Sequence, residues 1–350
     1  RFPFGRKDTL NLPPSFNYRD SIYNVEDYLE YTNTTGLLVL YNDSILVEKY
    51  MNSFSEEQNH ISWSISKSIT SALIGIALEE GHIKSLNDKL TDYVPELEDS
   101  GYRDVTILNA LQMSSGIRFN EDYHDYNSDI NKMGRHFAIG KPLIDFIKTL
   151  KNEREPGTYH KYVSMDTQVL GMVLRAATGV SVTEYTQEKL WKPMGAEYPA
   201  HWLIDDDKME AVFGGFNASL RDYGRFGLLY ANEGILNANR IVSEDWVIES
   251  TTPQADHLQP GDNVKSDHPY GYGYQWWIPE KIEGEFLAMG VYNQYIYVDR
   301  INEIVIVKLS ANYHFADERR ETTFRHMSFL RFIRDQILDN IEMEAKDGSI

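Results

Sequence analysis

Residues 62–81 read Ser62-Trp63-Ser64-Ile65-Ser66-Lys67-Ser68-Ile69-Thr70-Ser71-Ala72-Leu73-Ile74-Gly75-Ile76-Ala77-Leu78-Glu79-Glu80-Gly81. Apolar residues at 65, 69, 73, 74 and 78 follow the helical period, and Gly81 suits a left-handed cap, so a helix is expected over Ser64–Glu80. The stretch holds the chain's one Ser-x-x-Lys pattern, Ser64 to Lys67. Residues three apart share a helix face, so the Lys67 amine can reach the Ser64 hydroxyl. The helix N-terminus adds free N–H groups and a positive dipole that stabilise developing negative charge. A plainer reading makes Ser64 an N-cap and Lys67 a solvated first-turn residue. Two features weigh against it: a solvated first turn favours Asp or Glu over Lys, and Trp63, Ile65 and Ile69 surround the pair.

Outward from this helix the chain changes character at both ends. Gly36–Tyr41 and Ser44–Tyr50 flank Asn42-Asp43, and Gln294–Asp299 and Glu303–Leu309 flank Arg300-Ile301-Asn302. Both patterns read as β-hairpins. A short helix is expected near Val25–Tyr31, an amphipathic one over Phe324–Ile341, and further helices over Ile107–Met113, Ile144–Lys151, Met165–Thr178, Val182–Trp191, Leu220–Asn232 and Ser243–Thr251. The economical architecture is α+β: an antiparallel sheet formed from both chain ends and flanked by helices, with a mostly helical region inserted. On this reading residues 1–62 and 205–350 form the sheet domain, and 63–204 form the helical domain that carries the Ser64 helix.

Composition narrows the function. The 350 residues carry 34 Lys+Arg against 53 Asp+Glu, a net charge of -19, which disfavours nucleic acid and anionic membrane surfaces as partners. There is no Cys, so thiolate nucleophiles, disulfides and Cys-based metal sites are excluded. No apolar run is long enough to span a membrane. Position 1 is Arg, which reads as a processed or trimmed start, and the compartment stays open. Asp205-Asp206-Asp207 lacks the alternating spacing of a calcium loop, and no His-Glu-x-x-His, Gly-x-Ser-x-Gly or phosphate-binding glycine loop occurs. No metal and no cofactor are expected.

Further stretches follow the Ser64 helix in a telling order: Gly81–Lys89, Tyr93-Val94-Pro95-Glu96-Leu97, Thr106–Gly116, Pro156-Gly157 before Tyr162-Val163-Ser164, and Gly214-Gly215 before Arg221-Asp222-Tyr223-Gly224-Arg225-Phe226-Gly227. In this order the chain resembles the serine β-lactamase and penicillin-binding-protein superfamily, in its class C and esterase branch. The resemblance implies a nucleophile at Ser64 with Lys67 and Tyr162 as its base. A buried amine loses its charge readily and a neighbouring ammonium favours a phenolate, so such a pair can hold one proton between them near neutral pH. It also implies that Ser164, where the family carries Asn, contacts substrate or lysine. The family's Lys-Thr-Gly or His-x-Gly triplet falls on Ala288-Met289-Gly290, without its cation, which argues against penicillin-type substrates. Gly290 permits close backbone approach, and the Val291 N–H can join the Ser64 N–H as an oxyanion hole.

The stretch Phe119–Asp129 is similar to the loop of 6-aminohexanoate-oligomer hydrolases and related carboxylesterases in which a tyrosine closes over the substrate, here Tyr123. Its plain reading is a polar surface loop. Trp202, in an irregular aromatic segment, is a candidate for the pocket wall. The expected function is a serine hydrolase cleaving small esters, with amides as a further substrate class, through an acyl-enzyme. The alternatives are an amidase, peptidase or β-lactamase of the same fold, or a binding or sensor domain that has lost turnover.

Overall fold

The computed structural model describes residues 5–6, 10–280, 283–317 and 319–346. Eight strands form one sheet in the order Gly5–Arg6, Ser44–Tyr50, Thr34–Tyr41, Ile304–Ser310, Gln294–Asp299, Glu285–Gly290, Trp277–Ile278 and Gly271–Tyr272. Seven are mutually antiparallel, and Gly5–Arg6 adds a short parallel edge. The two hairpins expected from the sequence meet at the centre, where Val307 pairs with Leu38 and Ile306 with Val39. N- and C-terminal segments thus share one sheet.

Alternation along these strands divides the interior in two. Leu37, Val39, Tyr295, Tyr297, Ile304 and Ile306 face one core, with Tyr28, Leu29, Phe329, Leu330 and Ile333 from the Val25–Tyr31 and Arg319–Lys346 helices. Leu38, Leu40, Ile296, Val298, Val305 and Val307 face the other, with Ile69 and Leu73 from the Ile65–Glu79 helix and Phe226 and Leu229 from the Leu220–Ala231 helix. Burial on both faces explains why the strands read as nearly continuous apolar runs.

The Ile65–Glu79 helix is more deeply placed than its sequence pattern suggests. Every residue from Ile65 to Ala77 is buried, on all sides of the helix. Its hydroxyls make this possible: Ser66 Oγ donates to the Val212 carbonyl at 2.8 Å, Ser68 Oγ to Gln275 at 2.7 Å and Thr70 Oγ1 to Ser66 at 2.9 Å. Polar side chains with such partners cost little to bury. The helix ends as expected, with Gly81 at φ 75°.

Two sequence readings change. Val182–Trp191 is an α-helix only to Thr186 and continues as one π-turn, Gln187–Trp191. The polar stretch 119–128 is a loop of side-chain-to-backbone turns, in which Asp122 accepts from the His124 N–H and Asp125 from the Asn127 N–H. It leads into a helix, Asp129–Ala138, that sequence periodicity missed. Ser128 caps this helix, accepting from the Asn131 N–H at 3.3 Å, while Asn131 Nδ2 ties back to the Tyr123 and Asp125 carbonyls. The Arg221–Gly227 block is structural: Arg225 is buried between Asp222 at 3.1 Å and Glu197 at 2.7 Å. Among the described residues no helix is long and apolar enough to cross a membrane.

Candidate active site

Ser64 stands at the N-terminus of the buried helix with α-helical dihedrals, and its side chain makes no capping bond. The capping alternative therefore fails. Its Oγ accepts from Lys67 Nζ at 3.1 Å, and the same amine donates to the Phe213 carbonyl. Trp63, just before it, sits at φ 48°, a strained conformation for a bulky residue that aims the helix start into the cleft.

Lys67 is 1% exposed, so the solvated alternative fails as well. Burial holds its amine down at about 7, while the nearby Glu121 and Asp166 carboxyl groups pull it back up. Its Nζ lies 5.3 Å from the Tyr162 ring centre and 5.9 Å from that of Phe213. On its other side the Tyr162 ring stacks on Trp277 at 5.4 Å and 22°. Trp277 belongs to the sheet and pairs with Leu287, so the tyrosine is oriented by the same sheet that supplies Gly290.

Glu121 and Asp166 form an acidic tier behind the amine. Glu121 Oε1 accepts from the Ser164 N–H at 2.6 Å, and its other oxygen accepts from the Tyr123 hydroxyl at 3.2 Å. Asp166, in the first turn of the Ser164–Thr178 helix, accepts from the Tyr102 hydroxyl at 2.9 Å. Burial pushes its carboxyl up to about 8, partly offset by hydrogen bonds from Ser115 and Tyr102.

Gly290 abuts the turn that leads into Ser64: a Cβ there would lie 2.5 Å from the Ser62 carbonyl oxygen. Only glycine fits. Val291 follows in a turn with Tyr292 and Asn293 at φ 63° and 68°. Gln294 Nε2 donates to the Val291 and Tyr292 carbonyls at 3.3 and 3.4 Å and holds this turn.

Ser64, Tyr123 and Val291 stand where a cleft branches. A polar lobe of about 900 Å³ runs past Tyr162, Glu121, Lys161 and Trp277. An apolar lobe of about 330 Å³ runs past Phe137, Phe213, Leu203 and Ser164. Trp63, Tyr292, Phe315 and Tyr123 rim the junction with successive ring centres 5.3, 4.6 and 5.7 Å apart. The structure thus brings Ser64, Lys67, Tyr162, Val291, Gly290, Tyr123 and Ser164 to one cleft. It does not bring Trp202 there. That indole is buried against Phe216 at 4.6 Å and donates to Thr186 Oγ1 at 3.3 Å, a core position reached because strand His201–Trp202 turns its second residue inward.

Sequence reasoning did not single out Glu121, Asp166, Phe213 or Trp277. Glu121 had a local signal, an acid two residues before Tyr123. The others act through tertiary placement and had none.

The sequence matches the Beta-lactamase family over residues 25–327. It is 30% identical over 295 residues to the 6-aminohexanoate-dimer hydrolase of Paenarthrobacter ureafaciens, covering 82% of this chain and 75% of the relative. A Bacillus anthracis structure described provisionally as a 6-aminohexanoate-dimer hydrolase superposes with a TM-score of 0.83 at 25% identity, covering 98% of this chain and 88% of that one. A family VIII carboxylesterase shares the fold, with a TM-score of 0.59 at 16% identity over 80% of this chain and 86% of that one.

Proposed function

Because this chain belongs to the β-lactamase family and is a serine hydrolase, we propose that it cleaves small esters through an acyl-enzyme on Ser64. One observation carries the reading: a buried amine, held down at about 7, lies 3.1 Å from Ser64 Oγ with the Tyr162 ring beside it. The Lys67–Tyr162 pair takes the Ser64 proton as Oγ attacks the carbonyl carbon. The Ser64 and Val291 N–H groups stabilise the oxyanion. Collapse expels the alcohol, which receives its proton from Tyr162. Water then attacks the acyl-enzyme with the same pair as base, releasing the acid and restoring Ser64.

Esters are preferred because an alkoxide leaves more readily than an amine, whose departure depends wholly on prior protonation. Amide cleavage is the second reading, favoured by the likeness to the dimer hydrolase and by a phenol available as acid. The test is a panel of p-nitrophenyl esters and matched anilides with wild type and Ser64→Ala. Wild type should favour the esters, and the variant should lose hydrolysis while keeping its circular dichroism and melting curve. A folded variant retaining most of the rate would move the reaction elsewhere.

A further inference from the structure

The two lobes meet at Ser64 yet differ in chemistry, and Tyr162 fixes which half of a substrate enters each. Tyr162 lines the polar lobe and is absent from the lining of the apolar one. The alcohol expelled from the acyl carbon takes its proton from Tyr162 in the reading above, which places it on the Tyr162 side. The acyl chain is then left with the other branch.

That branch is built for hydrocarbon. Ile130, Met133, Phe137, Leu203 and Phe213 line it, with Phe137 and Phe213 meeting edge to face at 6.4 Å. The Phe213 backbone is at the same time anchored by the Lys67 amine, so the lobe is held in register with the nucleophile. Gly134 supports this from a different direction. It lies inside the Asp129–Ala138 helix, where glycine weakens the helix, yet a Cβ there would meet nothing within 4 Å. Packing does not demand glycine, and Gly134 itself is part of the lobe's lining. The larger lobe instead sets charges of both signs, among them Arg118, Glu121, Lys132 and Asp267, beside apolar side chains such as Trp277 and Met289.

We infer that the preferred substrates are esters of an apolar aliphatic or aryl carboxylic acid with a polar alcohol, the acyl chain entering beside Phe137 and Phe213 and the alcohol leaving past Tyr162. This rests on the hydrolase reading above. The reaction is balanced by water alone: the ester C–O bond breaks, Ser64 Oγ holds the acyl group, the alcohol departs with one proton, and water supplies the hydroxyl of the acid and the proton returned to Ser64.

The experiment uses the wild-type enzyme and two ester series. In the first, p-nitrophenyl esters run from acetate to decanoate. The value of kcat/KM should rise about fourfold per added methylene, the ratio corresponding to roughly 0.8 kcal/mol per buried CH₂, and should break once the lobe is full. In the second, butyrate esters of glycerol and of n-propanol are compared by pH-stat, and the glycerol ester should be the better substrate by at least several-fold. Gly134→Leu should lower the hexanoate-to-acetate ratio of kcat/KM about tenfold or more and move the break to shorter chains. A flat or falling acyl series, or a preference for the apolar alcohol, overturns the assignment even if hydrolysis proceeds. If no ester in either series is hydrolysed and Ser64 is never acylated, the hydrolase reading itself is lost.

Discussion

Lys67 is an amine placed where its charged form is costly, and that placement suits it to the base role proposed for it. Its amine has one hydroxyl and one carbonyl as hydrogen-bond partners, and burial outweighs the pull of the acids behind it. The neutral amine accepts a proton and the charged one does not, so kcat/KM should rise with pH through about 7. Glu121→Gln removes a charge that raises the amine, so this rise should move to lower pH in a stopped-flow or initial-rate profile. A profile that does not move would show that Glu121 acts only through Ser164 and Tyr123. Lys67→Ala and Tyr162→Phe should each reduce kcat by roughly 10²–10⁴-fold. Groups that share one proton fail together, so the double variant should be little worse than the poorer single one. Losses that multiply would mean the two act independently. Of these residues Ser64 and Lys67 were legible from spacing as neighbours on one helix face, while their proposed chemistry was read through the resemblance. Tyr162 was legible only by resemblance, because nothing local separates it from the chain's other 22 tyrosines. Asp166 was invisible, since its role depends on Tyr102 and Ser115 from distant sequence.

The elements that carry these residues are held close by small contacts. The end of strand Glu285–Gly290 lies against the Ser62 carbonyl with no room for a methyl group. Gly290→Ala must therefore displace either the Val291 turn or the start of the Ser64 helix. We expect kcat to fall on the order of 10²-fold, the usual effect of losing one oxyanion donor or misplacing the reacting atoms by about 1 Å. Steady-state kinetics at unchanged secondary structure would check it, and wild-type kcat would remove the oxyanion role from this strand. The Ser164–Thr178 helix gives a stability prediction. The Asp166 carboxyl is raised from 3.8 to about 8 by burial, so the folded state holds a proton that the unfolded state releases between those values. Folding therefore loses stability from this group as pH rises from about 4 to 8. Asp166→Asn should raise the melting temperature more at pH 8 than at pH 5, and equal shifts at both would contradict this. The helices themselves were legible where apolar spacing was clear, as at Leu220–Ala231. Asp129–Ala138 escaped because only Ile130 and Met133 are buried in it, too short a stripe to stand out from a polar stretch.

At the scale of the molecule, the hairpins at the two chain ends predicted their own union: strands apolar on both faces need partners and cover on both sides. Short strands such as Gly271–Tyr272 and Trp277–Ile278 could not be read, since two residues carry no period. The assembled cleft also separates this enzyme's expected substrates from β-lactams. No cation stands in Ala288-Met289-Gly290, and of the three Lys and Arg side chains that line the polar lobe, Lys161 pairs with Glu153 at 2.7 Å and Lys132 with Asp129 at 3.8 Å, the third being Arg118. A chromogenic cephalosporin should therefore be turned over far more slowly than the best ester, and comparable kcat/KM values would overturn that expectation. The central claim, an acyl-enzyme on Ser64, is tested most directly by treating the wild-type protein with a fluorophosphonate and mapping the adduct by peptide mass spectrometry. A single phosphonyl group on Ser64, formed with loss of esterase activity and absent from Lys67→Ala, is the predicted result; an inactivating adduct on any other residue would contradict it.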